Sequence, residues 1–265
     1  MVGPHPTLWS DHTDTVVHVK NYELVLHRVE ADLAAGRLRI GGRLPGERTL
    51  AEQLGISRPS VREAVRVLEA MGVVRTATGS GPEAGAVIVA EPVSPLTAVL
   101  RLHLATNHLP MGDVVQTRLL LESWSAREAA ERELGADELK VAEGLLDRMD
   151  DTGLSPEEFH LLDAEFHVAL SGLAGNVLIA AVMTSLRSAI HGYVLAAVPN
   201  LPDWEAVAVG LRNEHRGILA AVRGGEPERA ASLVTAHIRG FYQAAQLAPF
   251  ADGERGTPEA DAQVE

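Results

Sequence analysis

Apolar residues recur at helical spacing along most of the chain, and the breaks between these stretches divide it into two parts. From Thr15 a stripe formed by Val16, Val19, Leu24, Val25, Val29 and Leu33 predicts a first helix that ends at Gly36. After the turn-rich GGRLPGER come a short helix over 49–54, stopped by Gly55, and a second over 57–71, stopped by Gly72. VVRT and AGAVIVA then predict two short strands around the glycine-rich turn TGSGPEAG. Pro92 and Pro95 mark 91–95 as a linker between a unit of 15–90 and one of 96–247. Beyond it the pattern is helical throughout: a short helix over 96–105, then 114–133, 136–150, 156–173, 177–198, 204–222 and 226–247. SPEE at 155–158 has the Ser, Pro, acidic order of a helix start. Residues 1–14 and the acidic tail 248–265 are polar and predict disordered ends. The fold class expected is mostly α: an N-terminal winged helix-turn-helix followed by a C-terminal all-helical antiparallel bundle.

Length and composition fit this division, since 265 residues suffice for two modest domains, each with its own core. A hydrophobic fraction of 46% with 22% charged residues is that of a soluble globular protein. No uninterrupted apolar run reaches the roughly 18 to 20 residues of a membrane span, and the start lacks the basic and apolar regions of a secretory signal. A cytoplasmic protein with no membrane partner is therefore expected. With no cysteine, any metal must be held by His, Asp or Glu.

A net charge of -13 argues against nucleic acid until its distribution is considered. Residues 1–90 carry ten basic and ten acidic side chains, whereas the remaining 175 carry 13 basic and 26 acidic. Within 36–75, eight arginines stand against four glutamates. A small basic module is attached to a large acidic one.

The segment LPGERTLAEQLGISRPSVREAVRVLEAMGVVR has the layout of a helix-turn-helix. Leu50, Ala51 and Leu54 would face the partner helix, and Val61, Ala64, Val65, Leu68 and Met71 share one side of the second helix. Arg58 and Arg62 lie near the N-terminal end of that helix, the end that enters the major groove in this motif. Ser57 is placed as its N-cap. A charged helix face is ordinarily just a solvated one; the turn, the local positive excess and the strand pair together favour DNA reading. The segment resembles the DNA-binding signature of the GntR family of bacterial regulators. The resemblance implies that Arg48, Arg58 and Arg62 contact operator phosphates and bases, with Ser57 and Ser60 as secondary contacts. Gly79 and Gly81 would bring the wing backbone close to the minor groove, although this wing is longer than usual and carries Glu83 in place of a base.

Eleven histidines direct attention to metal chemistry, because neutral imidazole is the commonest metal ligand. Asp163 and His167 are four apart and share a helix face, and His215 and His237 sit on later helices among apolar residues. Converging in a bundle, these four would make a nitrogen and oxygen site; the bland alternative is that each His is a hydrogen-bonded core residue. His160 and His191 are competing candidates. DxxxH, then EHRxI, then a later His, following a GntR-type reader, resembles the FCD effector domain of the FadR subfamily. That resemblance implies a divalent ion, Zn foremost with Mn or Ni as alternatives, held by Asp163, His167, His215 and His237. It also implies a carboxylate effector bound by Arg118, whose guanidinium suits bidentate recognition. The competing reading of Arg118 is a surface ion pair with Glu122. Asn213 is a weaker effector contact.

The expectation is thus a homodimeric transcription regulator, read as a repressor, that binds a double-stranded operator and responds to a small organic acid. Its rivals are a metal-dependent enzyme using the set of three histidines and one aspartate, for which no separate general base stands out, and a regulator whose metal is purely structural.

Overall fold

A computed structural model describes residues 21–77, 85–106, 108–201 and 203–247. The chain divides into two compact units, Met1–Glu91 and Pro92–Glu265. The first contains α1 (Asn21–Ala34), α2 (Glu47–Leu54), α3 (Arg58–Ala70), β1 (Val74–Ala77) and β2 (Gly85–Ile88).

The turn between α2 and α3 is made by Gly55, whose φ of 64° lies in the left-handed region that a side chain disfavours. Ser57 then caps α3: its hydroxyl accepts the Ser60 N–H at 3.2 Å, with Pro59 in the first turn. The apolar face of α3, formed by Val61, Ala64 and Leu68, is buried in one cluster with Val25 and Val29 of α1 and Leu50 and Ala51 of α2. Val74 and Ile88 close this core from the antiparallel hairpin, where they are register partners. The stretch before α2 extends the sheet, since Leu44 N–H bonds the Ala86 carbonyl and Ile88 N–H bonds that of Gly42. Met71, expected on the buried side, is 50% exposed because α3 has already ended and Met71 is its C-cap. Leu54 and Val65 are only partly buried. Residues 15–20 of the expected first helix, the wing turn with Gly79, Gly81 and Glu83, and both expected disordered ends lie outside the described residues.

The second unit is all-helical: α4 (Val93–Ala105), α5 (Met111–Glu131), α6 (Ala136–Met149), α7 (Pro156–Leu173), α8 (Val177–Ala197), a 3-10 turn (Val198–Asn200), α9 (Trp204–Arg223) and α10 (Pro227–Ala244). Helix α4 begins at Val93, inside the stretch read as a linker over 91–95. Pro95 falls in its first turn, where a missing N–H breaks no helical bond. Helix α7 starts as SPEE predicts: Ser155 Oγ accepts the Glu158 N–H, and Glu158 Oε2 accepts the Ser155 N–H at 2.9 Å.

Helix α5 packs along α10, and α7 packs against α5, α6 and α8. Phe159, Phe166 and Leu170 of α7 share the main core with Met149, Ile218, Ile238 and Tyr242. Helix α8 joins α4 through a second cluster that includes Leu104, Leu186, Ile190 and Val194. Among the described residues, Val177–Asn200 has the length and the mean hydropathy, 1.4, of a membrane-crossing helix, which qualifies the expectation that no segment does. Met183, Leu186, Ile190 and Val194 of this helix are buried in the bundle together with Arg187, whereas Val177 and Leu178 at its start are exposed.

Replacing Ser57 with Ala removes the acceptor for the Ser60 N–H, and a loss of about 1 kcal/mol is expected from the first unit. Urea denaturation of the full chain checks this; an unchanged transition would show that the cap contributes nothing.

Candidate metal centre and reader surface

Three helices bring the predicted ligands together. Helical spacing puts Asp163 and His167 one turn apart on the inner face of α7, while α9 supplies His215 and α10 supplies His237. All four are buried. The Nε2 atoms of His167 and His237 are 3.0 Å apart, and those of His215 and His237 3.2 Å. Asp163 Oδ1 lies 3.1 Å from His215 Nε2 and 3.6 Å from His167 Nε2.

The outer edges of the same groups are held by a further ring of charges. The Glu122 carboxylate of α5 lies against His167 Nδ1, and Glu214 Oε2 lies 2.7 Å from His237 Nδ1. Such contacts favour the tautomer with the proton on Nδ1, leaving the Nε2 lone pair to point inward. The second oxygen of Asp163 is paired with Arg187 of α8. His215 Nδ1 is buried without a partner among the described residues.

Burial holds His215 below the ordinary imidazole value, and neighbouring His237 adds to the effect. Burial likewise lowers His237, outweighing its contact with Glu214. For Asp163, burial alone would favour the neutral acid, but Arg187 and His167 hold it well below the usual carboxylate range. The neutral imidazoles of His215 and His237 beside an ionised Asp163 are in the state in which they bind metal.

The donor set fits a divalent ion. Three inward nitrogens and one carboxylate oxygen, all within 4.8 Å of one another, are close enough for one ion to bridge them. Tetrahedral bonds of zinc length would separate the donors by about 3.3 Å; four of the six donor pairs, at 3.0, 3.2, 3.1 and 3.6 Å, lie near that figure, and all six lie within 4.8 Å. Imidazole nitrogen with one carboxylate suits Zn, Mn or Ni.

Beside these donors is a cavity of about 20 Å³, room for roughly one water, whose walls include Asp163, His237, Arg118, His160, Arg187 and Tyr242. Arg118 does pair with Glu122, through Nε to Oε1 at 2.6 Å, but the pair is not a surface one: the two side chains are 4% and 0% exposed. Arg118 also donates to the Tyr242 hydroxyl at 2.8 Å. Burial opposes charge on both partners, yet each holds the other ionised, with His167 adding to the effect on Glu122.

Asn213 does not join this group; it is exposed on α9 and outside the cavity, because its position is two residues before His215 on a turning helix. His160 reaches the cavity, but its Nδ1 is 3.7 Å from Asp163 Oδ2 and it is not one of the four donors. Burial pushes it down to about 4, and it stacks on His191. Sequence reasoning missed Arg187, Glu214 and Tyr242, and saw Glu122 only as a partner for Arg118. The available signal for Arg187 was its charge, the one formal charge within apolar α8.

In the first unit, Arg58 and Arg62 are exposed on α3, and Ser57 and Ser60 have their hydroxyl oxygens 2.9 Å apart at its N-terminus. Arg62 lies 3.8 Å from Glu47, and Arg48 3.8 Å from Glu52. Exposed pairs at that distance hold a guanidinium weakly and leave it available to phosphate.

A helix-turn-helix with a β-hairpin, joined to a helical unit with buried donors, is the architecture of a DNA-binding transcription regulator. The sequence profile of the bacterial regulatory proteins of the gntR family matches residues 21–83, and that of the FCD domain matches residues 113–240. The chain is 30% identical over 222 residues to the Glc operon transcriptional activator of Escherichia coli (strain K12), covering 82% of this chain and 85% of that protein. It is 26% identical over 222 residues to the HTH-type transcriptional repressor NanR of Cronobacter sakazakii, covering 83% of each. The solved structure of Streptococcus agalactiae GntR superposes with a TM-score of 0.63 at 26% identity, covering 84% of this chain and 99% of that one. The chain belongs to the GntR family and carries an FCD domain as its second unit. It is a regulator and not an enzyme, which removes the first rival reading.

Exchanging Glu122 for Gln would leave Arg118 buried without its countercharge and remove the anion beside His167. A loss of about 3–5 kcal/mol is expected, read by urea denaturation followed by circular dichroism; a loss under about 1 kcal/mol would contradict the ion pair's role.

Proposed function

We propose that this regulator binds its operator as a homodimer, and that a small organic acid, bound beside a divalent metal in the helical unit, controls the binding. The observation that carries this reading is the convergence of Asp163, His167, His215 and His237 on one point, with Arg118 on the wall of the adjoining cavity. The ion, Zn foremost with Mn or Ni as alternatives, would supply a Lewis-acidic centre for an acidic oxygen of the effector. Arg118 would orient the carboxylate, and Tyr242 and Glu122 fix the guanidinium that does so. Burial excludes water from these contacts and strengthens them.

On the DNA side, Arg58 and Arg62 would enter the major groove from the N-terminal end of α3, with Arg48, Ser57 and Ser60 on phosphates. Gly79 and Gly81 are assigned to the wing from the sequence alone. A pair of symmetric readers matches a palindromic operator, one reader per half-site, which is the reason to assign a homodimer. A protein that acts on chromosomal DNA would work in the cytoplasm. The sequence reading is of a repressor, and the relatives include both an activator and a repressor, so the fold alone does not set the sign of regulation. The effector acts through its differential affinity for two arrangements of the protein, and about 5.5 kcal/mol of it would invert a 1:99 population.

Two measurements test this reading. Arg62→Ala is expected to weaken operator binding by about 1–3 kcal/mol at matched salt without altering the far-ultraviolet spectrum; unchanged affinity would show that α3 is not the reading helix. His237→Ala is expected to abolish the single equivalent of metal that the wild-type chain retains after gel filtration, measured by plasma mass spectrometry. Wild-type chain free of metal would contradict the metal centre, and unfolding of the second unit on chelation, with no response to any acid, would favour the purely structural metal.

A further inference from the structure

The reader unit carries a carboxylate that opposes DNA on charge grounds. Glu69 is exposed near the end of α3, the helix assigned to the major groove, and an anion there repels phosphate. Its contacts give it another role. Glu69 Oε1 accepts two hydrogen bonds from Thr76 of β1, seven residues further on: from the backbone N–H at 2.8 Å and from the hydroxyl at 2.6 Å. The same bonds, the hydroxyl's foremost, hold the carboxyl below its ordinary value.

The backbone explains why Thr76 needs this partner. Strand β1 is four residues long and, among the described residues, pairs only with β2. Thr76 stands opposite Ala86, whose carbonyl faces the other way and accepts the Leu44 N–H. Residues opposite each other in an antiparallel pair alternate between hydrogen-bonded and non-hydrogen-bonded, and this pair is of the second kind. The Thr76 N–H therefore points to the open side of β1, where Glu69 meets it with an ionised acceptor, which makes the stronger kind of bond.

Packing does not supply the same restraint. Val74 and Ile88 anchor the base of the hairpin in the apolar core, but Arg75, Thr76, Ala77 and Gly85 are exposed. A cavity of about 470 Å³ lies between the outer hairpin and the helix, with Val65 of α3 on one wall and Thr76, Ala77, Gly85 and Ala86 on another. Backbone bonds fix the turn out of α3, from the Gly72 N–H to the Glu69 carbonyl and from the Val73 N–H to that of Leu68, both 2.9 Å. Among the described residues, the hydrogen bonds that join the outer hairpin to α3 are those of Glu69.

Resting on the reading of the first unit as the DNA reader, we infer that Glu69 is a positioning residue for operator binding. Its carboxylate braces the wing hairpin against the recognition helix, so that both meet the duplex as one rigid piece and less ordering is left to be done on binding. On charge alone, removing Glu69 strengthens binding; as a brace, its removal weakens binding. The two effects have opposite signs.

The test uses the full chain and the duplex that the wild type selects from a random-sequence pool. Glu69→Ala and Glu69→Gln are compared by fluorescence anisotropy at one salt concentration. Both remove the same charge, but the glutamine carbonyl still accepts from Thr76. The Ala variant is expected to bind about threefold to tenfold more weakly than the Gln variant, which stays within about threefold of the wild type. Amide exchange in β1 is expected to quicken in the Ala variant and to stay near wild type in the Gln variant. Urea denaturation of each gives its folded fraction under the binding conditions. Equal affinity of the two variants overturns the inference, as does a loss in the Ala variant that its unfolded fraction accounts for. Should the Ala variant fail to fold, Thr76→Val, which removes one of the two bonds and keeps a branched side chain in the strand, takes its place. It is expected to bind about threefold more weakly than the wild type, and unchanged affinity overturns the inference. A wild type that selects no duplex, or an Arg62→Ala variant that binds it unchanged, overturns the assignment of α3 and the inference with it.

Discussion

Three imidazole nitrogens and a carboxylate oxygen, all electron-rich, meet in the apolar interior of a helical bundle, and the rest of the second unit is arranged around that constraint. Like polarity at such distances is unfavourable, and the adjoining cavity has little room for water to relieve it. The surrounding residues answer on two sides. Outward, Glu122, Glu214 and Arg187 engage the remaining edges of His167, His237 and Asp163, so that three of the four donors are oriented as well as enclosed. Inward, a cation is the species that satisfies all four donors at once. Helices α5, α7, α8, α9 and α10 each contribute a residue to this arrangement. A shift of any one of them therefore changes the geometry of the centre.

This coupling bears on control. Arg118, Glu122 and His167 form a continuous buried chain from the cavity wall to the donor cluster, and Arg187 and Asp163 form a second. A ligand that touches either arginine thereby alters a contact that positions a metal ligand. The reader unit is built on different terms. Its core is apolar, Arg58 and Arg62, proposed to read DNA from α3, are exposed, and of the arginines proposed for DNA, Arg48 and Arg62 have only loose acidic neighbours. Strong internal pairing suits the sensing unit, whose charges are buried; weak pairing suits a surface that must exchange its partners for phosphates.

Periodicity carried most of the fold. The predicted helices of both units are present, often to within two residues, because a helix that buries one face must show that face in its sequence. The start of α4 was not legible: prolines at 92 and 95 read as a break, yet a proline in the first turn costs a helix nothing. Asp163 and His167 were legible as neighbours from their spacing, but their convergence with His215 and His237 depends on helix packing, which no local pattern encodes. Resemblance to the family supplied that grouping. Asn213 misled because closeness to His215 in sequence places a residue on another face of α9. Arg187, Glu214 and Tyr242 were missed for the converse reason, since their partners lie on other helices. An arginine within an otherwise uncharged helix was nonetheless a visible anomaly.

Whether the four donors form a metal centre is tested most directly by anomalous diffraction from crystals of the protein, with data collected on either side of the zinc, nickel and manganese absorption edges. One strong peak per chain is expected, within about 2.0–2.2 Å of His167 Nε2, His215 Nε2, His237 Nε2 and Asp163 Oδ1. A map with no peak at that point from protein grown with these metals present, or with its peak bound elsewhere, would contradict the metal centre.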